Sequence, residues 1–457
     1  MTHKAGQGAA KASWVKKCVR LLVLTPLLLN LLYVLSACTP ASQPMPVSLI
    51  YSGNLDGELE PCGCSEQGDL GGLKRRAQLL DDLHKQQANL IVVSAGGLIS
   101  SDGGADRVKS EFILEGFKAL NYDAVALQWK DTAFGESFLN AQKLPWVSSN
   151  WKDNSFAKRV EVKRGNLSLH IYAWLDPAGS PTRKMVGQHD LVSDDKDKLQ
   201  AQIKQSHDSG AMTLLAVDKP LEDIQSLFDL SKVDLLLIKS KYEEFSAPQQ
   251  VANTLVLQAG SRGMRLGRLD FQFNPKATTA RISDLKSTVL PMPKSIVDAP
   301  RMLDWYQRYN DRVKQDYLKR VEIRKQQESG VSPYAGSDAC EKCHAKAYQT
   351  WSDSEHAKAF EDLENVGKSF DPECLQCHTV GFEKPGGFFD AMITSQLTAV
   401  QCENCHGAAR EHVESGGAKP VANKAWTRSQ MCAQCHTQPH SPGFSEDKYW
   451  PKIAHSR

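Results

Sequence analysis

Four copies of one pentad stand in the last quarter of the chain: Cys340-Glu-Lys-Cys343-His344, Cys374-Leu-Gln-Cys377-His378, Cys402-Glu-Asn-Cys405-His406 and Cys432-Ala-Gln-Cys435-His436. Two thiols three residues apart can each form a thioether to a porphyrin, and the imidazole beside the second can ligate its iron. This is the spacing of c-type haem attachment. Paired Cys-x-x-Cys elements also build tetrahedral zinc sites, but such a site has no need of a histidine after every second cysteine. Four covalently attached c-type haems are therefore expected, with His344, His378, His406 and His436 as proximal ligands.

Residues 331–457 contain eight histidines, so His356, His412, His440 and His455 remain as distal candidates. Four spare imidazoles for four irons would give bis-histidine, low-potential centres suited to electron transfer. If His440 or His455 were instead a solvated surface residue, one iron would stay five-coordinate. It could then act on a small nitrogen or sulfur compound, because an axial vacancy and the polarity around it decide between activation and transfer. Electron transfer between redox partners is the main expectation, with such an oxidoreductase as the alternative and no protein side chain expected to be catalytic.

Thioether attachment belongs to exported proteins, and the other end of the chain carries an export pattern. Lys4, Lys11, Lys16, Lys17 and Arg20 precede an apolar run over 21–35 that is broken by Pro26 and Asn30, and no acid occurs before Asp56. The run is short for a membrane span and reads as a signal-peptide core over residues 1–37. Leu35-Ser36-Ala37-Cys38 resembles the lipobox of bacterial lipoproteins, in which the cysteine is lipidated and becomes the first mature residue. Each buried acyl methylene contributes roughly 0.8 kcal/mol, so a lipidated Cys38 would hold the protein on a membrane without a spanning helix. Ordinary cleavage leaving a free thiol is the other reading. Thr39 after the cysteine favours the outer membrane, on the periplasmic side.

Without the five basic residues of the leader, 50 basic and 53 acidic residues remain, and there is no basic stripe to suggest a nucleic-acid partner. The expected partners are redox proteins, either other cytochromes or a quinol-linked donor, and the membrane through its anchor. A Pro-rich tether occupies 38–46. Residues 47–290 then alternate apolar strands, at 47–51, 90–93, 124–127, 167–173, 212–217, 233–238 and 255–258, with helix-length amphipathic segments, the pattern of a layered α/β domain. Residues 291–331 form a connector, where Met302, Trp305, Tyr306, Tyr309, Val313, Tyr317 and Val321 recur at helical spacing and predict a long helix docking the two halves. From 332 to 457 strand patterns vanish, and a mostly helical or irregular multihaem cytochrome c domain is expected.

Gly53-Asn-Leu-Asp-Gly57-Glu-Leu-Glu-Pro61, Gly71-Gly-Leu-Lys-Arg-Arg76, Ser94-Ala-Gly-Gly97, Tyr122-Asp-Ala-Val125 and Gln258-Ala-Gly-Ser261 through Leu266-Gly-Arg-Leu269 resemble, in order, the landmarks of the calcineurin-like metallophosphoesterases of the periplasmic 5′-nucleotidase branch. That family holds two metals on D-x-H-G, A-G-D and G-N-H turns and later histidines. Here Asn54 and Asp56 stand in the first turn, Gly97 at the bridging Asp and Gln128-Trp129-Lys130 at the third turn. Val217-Asp218 and Lys239-Ser240-Lys241 replace the later histidines. A two-metal site depends on its ligand count, so phosphoesterase activity is not expected and the domain reads as a degenerate scaffold.

Glu60-Pro61-Cys62-Gly63-Cys64 resembles an E-P-C-G-C variant found in some exported relatives of that branch. Cys62 and Cys64 could form a disulfide, a redox couple or a soft-metal ligand pair. With Cys18 in the leader, all twelve cysteines then have a place.

The last segment resembles the tetrahaem cytochrome c-554 family. Tyr334-Ala-Gly-Ser-Asp-Ala leads into the first pentad, Trp351-x4-His356-Ala357 follows it, and Cys402-Glu-Asn-Cys405-His406-Gly407 is succeeded by His412. The resemblance implies distal roles for His356 and His412. It also implies electron carriage, with one iron of the type member lacking a sixth protein ligand.

Overall fold

The computed structural model describes residues 44–61, 69–100, 106–181, 190–241, 244–274, 281–438 and 440–455, with no side-chain description of Asp106. Cys38, the leader, Cys62 and Cys64 lie outside the described residues. Among these residues no helix is long and apolar enough to cross a membrane.

Two six-stranded sheets form the α/β part. The first runs β12-β11-β1-β2-β3-β4, with β1 Met45–Ser52, β2 Leu90–Ser94, β3 Ala124–Ala126, β4 Trp146–Val147, β11 Arg265–Phe273 and β12 Ile282–Pro291. The second runs β5-β6-β7-β8-β10-β9, with β5 Val160–Arg164, β6 Leu167–Trp174, β7 Met212–Val217, β8 Leu235–Ile238, β9 Ser246–Val251 and β10 Thr254–Gln258. β1 to β4 pair in parallel, as do β6, β7, β8 and β10. β5, β9, β11 and β12 pair antiparallel with their neighbours.

Side chains alternate across a strand, and here both faces are covered. Val47, Leu49 and Tyr51 of β1 meet Leu169 and Ile171 of β6 and Leu235 and Leu237 of β8 between the sheets. Ile50 and Val92 point the other way, onto helices Leu73–Gln86 and Asp106–Ala119. Tyr172, Leu215 and Leu236 pack on helix Lys196–Asp208. This double coverage explains why the inner strands read as unbroken apolar runs. The result is a layered α/β/β/α sandwich.

A helix over Leu303–Gln327 carries the expected stripe. Met302, Trp305, Tyr309 and Val313 enter the core of the α/β part, while Tyr317 and Val321 enter a second cluster with Tyr334, Phe360, Leu363, Leu375, Val380, Phe388 and Leu397. Gly116 lets Trp305 lie close, since a Cβ there would meet Cζ2 of Trp305 at 2.8 Å. The helix thus belongs to both cores. The second cluster is a side-chain core that sequence reasoning did not anticipate.

Reciprocal ion pairs reinforce the seam. Lys109 of the α/β part reaches Glu373 at 2.7 Å, while Lys368 of the C-terminal part reaches Glu60 at 2.5 Å and Asp371 at 3.4 Å. Tyr306 also donates to Glu60. Beyond residue 330 only short helices follow, including Asp338–Glu341, Ala345–Ser352, Glu355–Asn365, Pro372–His378, Cys402–His406 and Arg428–Cys432.

Candidate haem centres and a filled metal site

At the carboxyl ends of β1, β2 and β3, where a ligand site in such a sheet is expected, protein groups fill the turns at which the sequence resemblance places metal ligands. Asp56 accepts hydrogen bonds from Asn54 and from the ammonium of Lys130, and from the backbone N–H of Arg262 at 3.2 Å. Asp131 is wholly buried. Its carboxylate takes the backbone N–H of Gly97 at 2.8 Å, Leu98 at 2.6 Å and Gln128 at 3.0 Å, tying the second turn to the third. Burial pushes its carboxyl up, and those N–H groups pull it back. Gly97 sits at φ 62°, and a Cβ there would meet Oε1 of Gln128 at 2.6 Å and Cβ of Asn54 at 2.9 Å, so an aspartate at this position has no room. The ammonium of Lys130 and the carboxylate of Asp131 hold these turns together. Nearby, Arg262 pairs with Glu58 at 2.6 Å.

In each pentad the first cysteine lies on a short helix, so the second cysteine, three residues on, and the histidine, four residues on, fall on the same side. Local capping sets these turns. Asp371 accepts from the N–H of Glu373 ahead of Pro372–His378, Gln401 and Asn404 form a capping box at Cys402–His406, and Thr427 with Gln430 does the same at Arg428–Cys432.

The pentads are not arranged in chain order. The hydroxyl of Ser337, just ahead of the first pentad, lies 3.3 Å from Sγ of Cys402, and the sulfur of Cys340 neighbours that of Cys402 as that of Cys377 neighbours that of Cys435, which sets the first pentad beside the third and the second beside the fourth. Asn404 of the third pentad also donates to the carbonyl of Thr379, just after the second, at 2.9 Å, and Gln434 of the fourth donates to the carbonyl of Asn404 at 3.1 Å, so the third pentad neighbours the other three.

Histidines cross between pentads in the same way. The rings of His344 and His412 lie 6.2 Å apart, those of His356 and His436 6.2 Å, and those of His406 and His455 5.9 Å. With a metal–nitrogen bond of about 2.0 Å on each side, two imidazoles sharing one metal have centroids roughly 6 Å apart. The residues present fit iron held between paired imidazoles. Nδ1 of His412 faces the carbonyl of Lys419 at 2.6 Å, Nδ1 of His455 that of Ile453 at 2.9 Å, and Nδ1 of His378 that of Ala359. A carbonyl only accepts, so Nδ1 carries the proton there and Nε2 is left as the ligating atom. Burial holds His356, His406 and His436 below the usual histidine range, in the neutral form a metal requires.

Trp351 explains the spacing that follows the first pentad. Its indole donates to the carbonyl of Val400 at 2.7 Å, and the N–H of Val400 returns to the carbonyl of His356 at 3.2 Å, which fixes His356 beside the third pentad's helix. His440 stands elsewhere, within the electrostatic reach of Arg262, Glu58, Glu373 and Lys109 at the interdomain seam. Sequence reasoning named His455 without a partner. It missed Glu403 and Asp131 and named Lys130 only as a departure from the third turn, although a carboxylate inside a pentad was a visible signal for the first.

Residues 339–407 match the cytochrome c554 and c-prime family. Cytochrome c-554 of Nitrosomonas europaea is 32% identical over 136 residues, covering 23% of this chain and 58% of that protein. The 5′-nucleotidase precursor of Thermus thermophilus superposes with a TM-score of 0.50 at 18% identity, over 59% of each chain. The SoxB sulfate thiohydrolase of the same organism superposes at 0.48 and 15% identity, over 59% of this chain and 61% of that one. The chain therefore spans less than two thirds of each of these relatives. A metallophosphoesterase-type sandwich is joined to a segment similar to the cytochrome c554 family, whose members carry covalently bound c-type haem and serve multihaem electron transfer.

Proposed function

We propose that the protein is an exported, lipid-anchored tetrahaem cytochrome that relays electrons between redox proteins on the periplasmic side of a membrane, the outer membrane being favoured. The observation that carries this reading is the set of three cross-pentad histidine pairs at 5.9–6.2 Å. Bound c-type haem supplies reversible one-electron chemistry. The chain's contribution is to fix it: Cys340 and Cys343, Cys374 and Cys377, Cys402 and Cys405, and Cys432 and Cys435 attach, while His344, His378, His406 and His436 ligate from the proximal side. His412, His455 and His356 face His344, His406 and His436 respectively. His440 is the remaining candidate for His378, the second and fourth pentads being neighbours through Cys377 and Cys435. The α/β part serves as a scaffold, its former metal turns held by Lys130 and Asp131, and no phosphoester hydrolysis is assigned to it. Cys38 carries the lipid.

The mass of the mature protein tests attachment and anchoring together. It should equal that of the chain from Cys38 with its acyl groups plus four haems, and Cys432→Ala/Cys435→Ala should lose one haem. Fewer than four haems in the unaltered protein would overturn the reading. Exposure of the reduced protein to CO decides between relay and the alternative, an oxidoreductase acting on a small nitrogen or sulfur compound. No uptake fits His440 on the iron of His378, whereas uptake by one haem would replace the relay with the oxidoreductase.

A further inference from the structure

The residue that follows the first cysteine differs among the pentads. It is Glu341 in the first and Ala433 in the fourth, both exposed or nearly so, and Leu375 in the second, which is buried. In the third it is Glu403, a carboxylate only 3% exposed. Both of its oxygens accept from backbone: Oε1 from Ala335 at 3.0 Å and Ala409 at 2.8 Å, Oε2 from Ala335 at 3.0 Å and Gly336 at 2.8 Å. Among the described residues it makes no ion pair. Gln401 extends the same seam, accepting from the N–H of Ser337 at 2.7 Å. Glu403 thereby straps the segment leading into the first pentad onto the third.

A charge taken out of water and met only by N–H dipoles keeps a long electrostatic reach, because the surroundings screen it poorly. Ferric iron carries one positive charge more than ferrous, so a fixed anion nearby favours the oxidised state. We propose that Glu403 is a positioning residue that also sets the potentials of the centres at the first and third pentads below those at the second and fourth. Electrons would then run from the first and third pentads toward the fourth and second, the end that Lys109 and Glu373 fasten to the α/β part. This rests on the tetrahaem reading above.

The test is a redox titration of the full-length, haem-loaded protein with Glu403→Gln. Two of the four transitions should move to higher potential and two should stay, while Glu341→Gln, the acid at the matching position of the first pentad, leaves all four in place. Unmoved transitions at full haem content, or four equal shifts, would overturn the proposal. If Glu403→Gln fails to load haem, His412→Met serves, since a methionine ligand raises the potential of its own haem. The transition it moves should be one of the two lowest of the unaltered protein, and movement of one of the two highest would refute the assignment. A mass showing fewer than four haems would instead defeat the tetrahaem reading itself.

Discussion

The α/β sandwich and the last quarter of the chain treat their polar groups in opposite ways. In the sandwich, the turns that would hold metals are closed by the chain's own atoms. Asp131 collects N–H groups from two turns, Lys130 neutralises Asp56, and Gln128 fills the space over Gly97. After residue 400 the buried apolar set falls to Ala409, while cysteines and histidines gather in cross-pentad groups. The first arrangement satisfies its own polar groups, whereas the second gathers cysteines and histidines from different pentads side by side. The buried carboxylates Asp131 and Glu403 show the contrast in miniature. Both are held by backbone N–H groups, yet one stitches a scaffold and the other stands beside haem-attachment thiols.

Removing attachment should break the comparison most sharply. Cys402→Ala/Cys405→Ala should cost one haem and render the C-terminal part protease-sensitive while the sandwich stays folded, as read by haem content and limited proteolysis. Asp131→Ala should do the reverse. It strands several buried N–H groups at about 1–3 kcal/mol each, so the stability of the sandwich in thermal unfolding should fall by about 3–5 kcal/mol with haem content unchanged. Trp305→Ala, which empties a site shared by the helix and the sandwich core, should cost about 3–5 kcal/mol by chemical denaturation.

The seam should respond more weakly. A double-mutant cycle on Lys109 and Glu373 should give a coupling of about 1 kcal/mol, since Glu373 is half exposed and solvent screens the pair. Its pH dependence has a definite sign. The carboxylates of Glu373 and Glu58 raise Lys109 above the ordinary lysine value of 10.5 against the opposing effect of its burial. The stabilisation is then complete below that value and is lost only as the pH climbs through the raised one, so the seam should hold at neutral pH and loosen in strong alkali.

Much of the fold was legible in the chain. The pentads carried the expectation of haem attachment and proximal ligation by local spacing alone, and runs such as 90–93 and 212–217 are strands because burial on both faces demands continuous apolar sequence. Strands β9 and β12 were missed because Ser-Ala-Pro-Gln-Gln-Val and its like, at sheet edges, carry no such demand. The loss of metal ligands was visible in Gln128-Trp129-Lys130. That Lys130 and Asp131 would hold these turns together was not, because it depends on contacts between turns far apart in sequence. The histidine neighbours were hidden for the same reason: the ring of His356, which follows the first pentad, lies beside that of His436 in the fourth, and that of His455 in the tail lies beside that of His406 in the third.

Electron paramagnetic resonance of the oxidised, haem-loaded protein beside its His356→Ala, His412→Ala and His455→Ala variants tests the central claim most directly. The account predicts at least three low-spin haems in the unaltered protein, with each substitution converting one to high spin. Variants that leave the spectrum unchanged, or an unaltered protein with more than one high-spin haem, would contradict it.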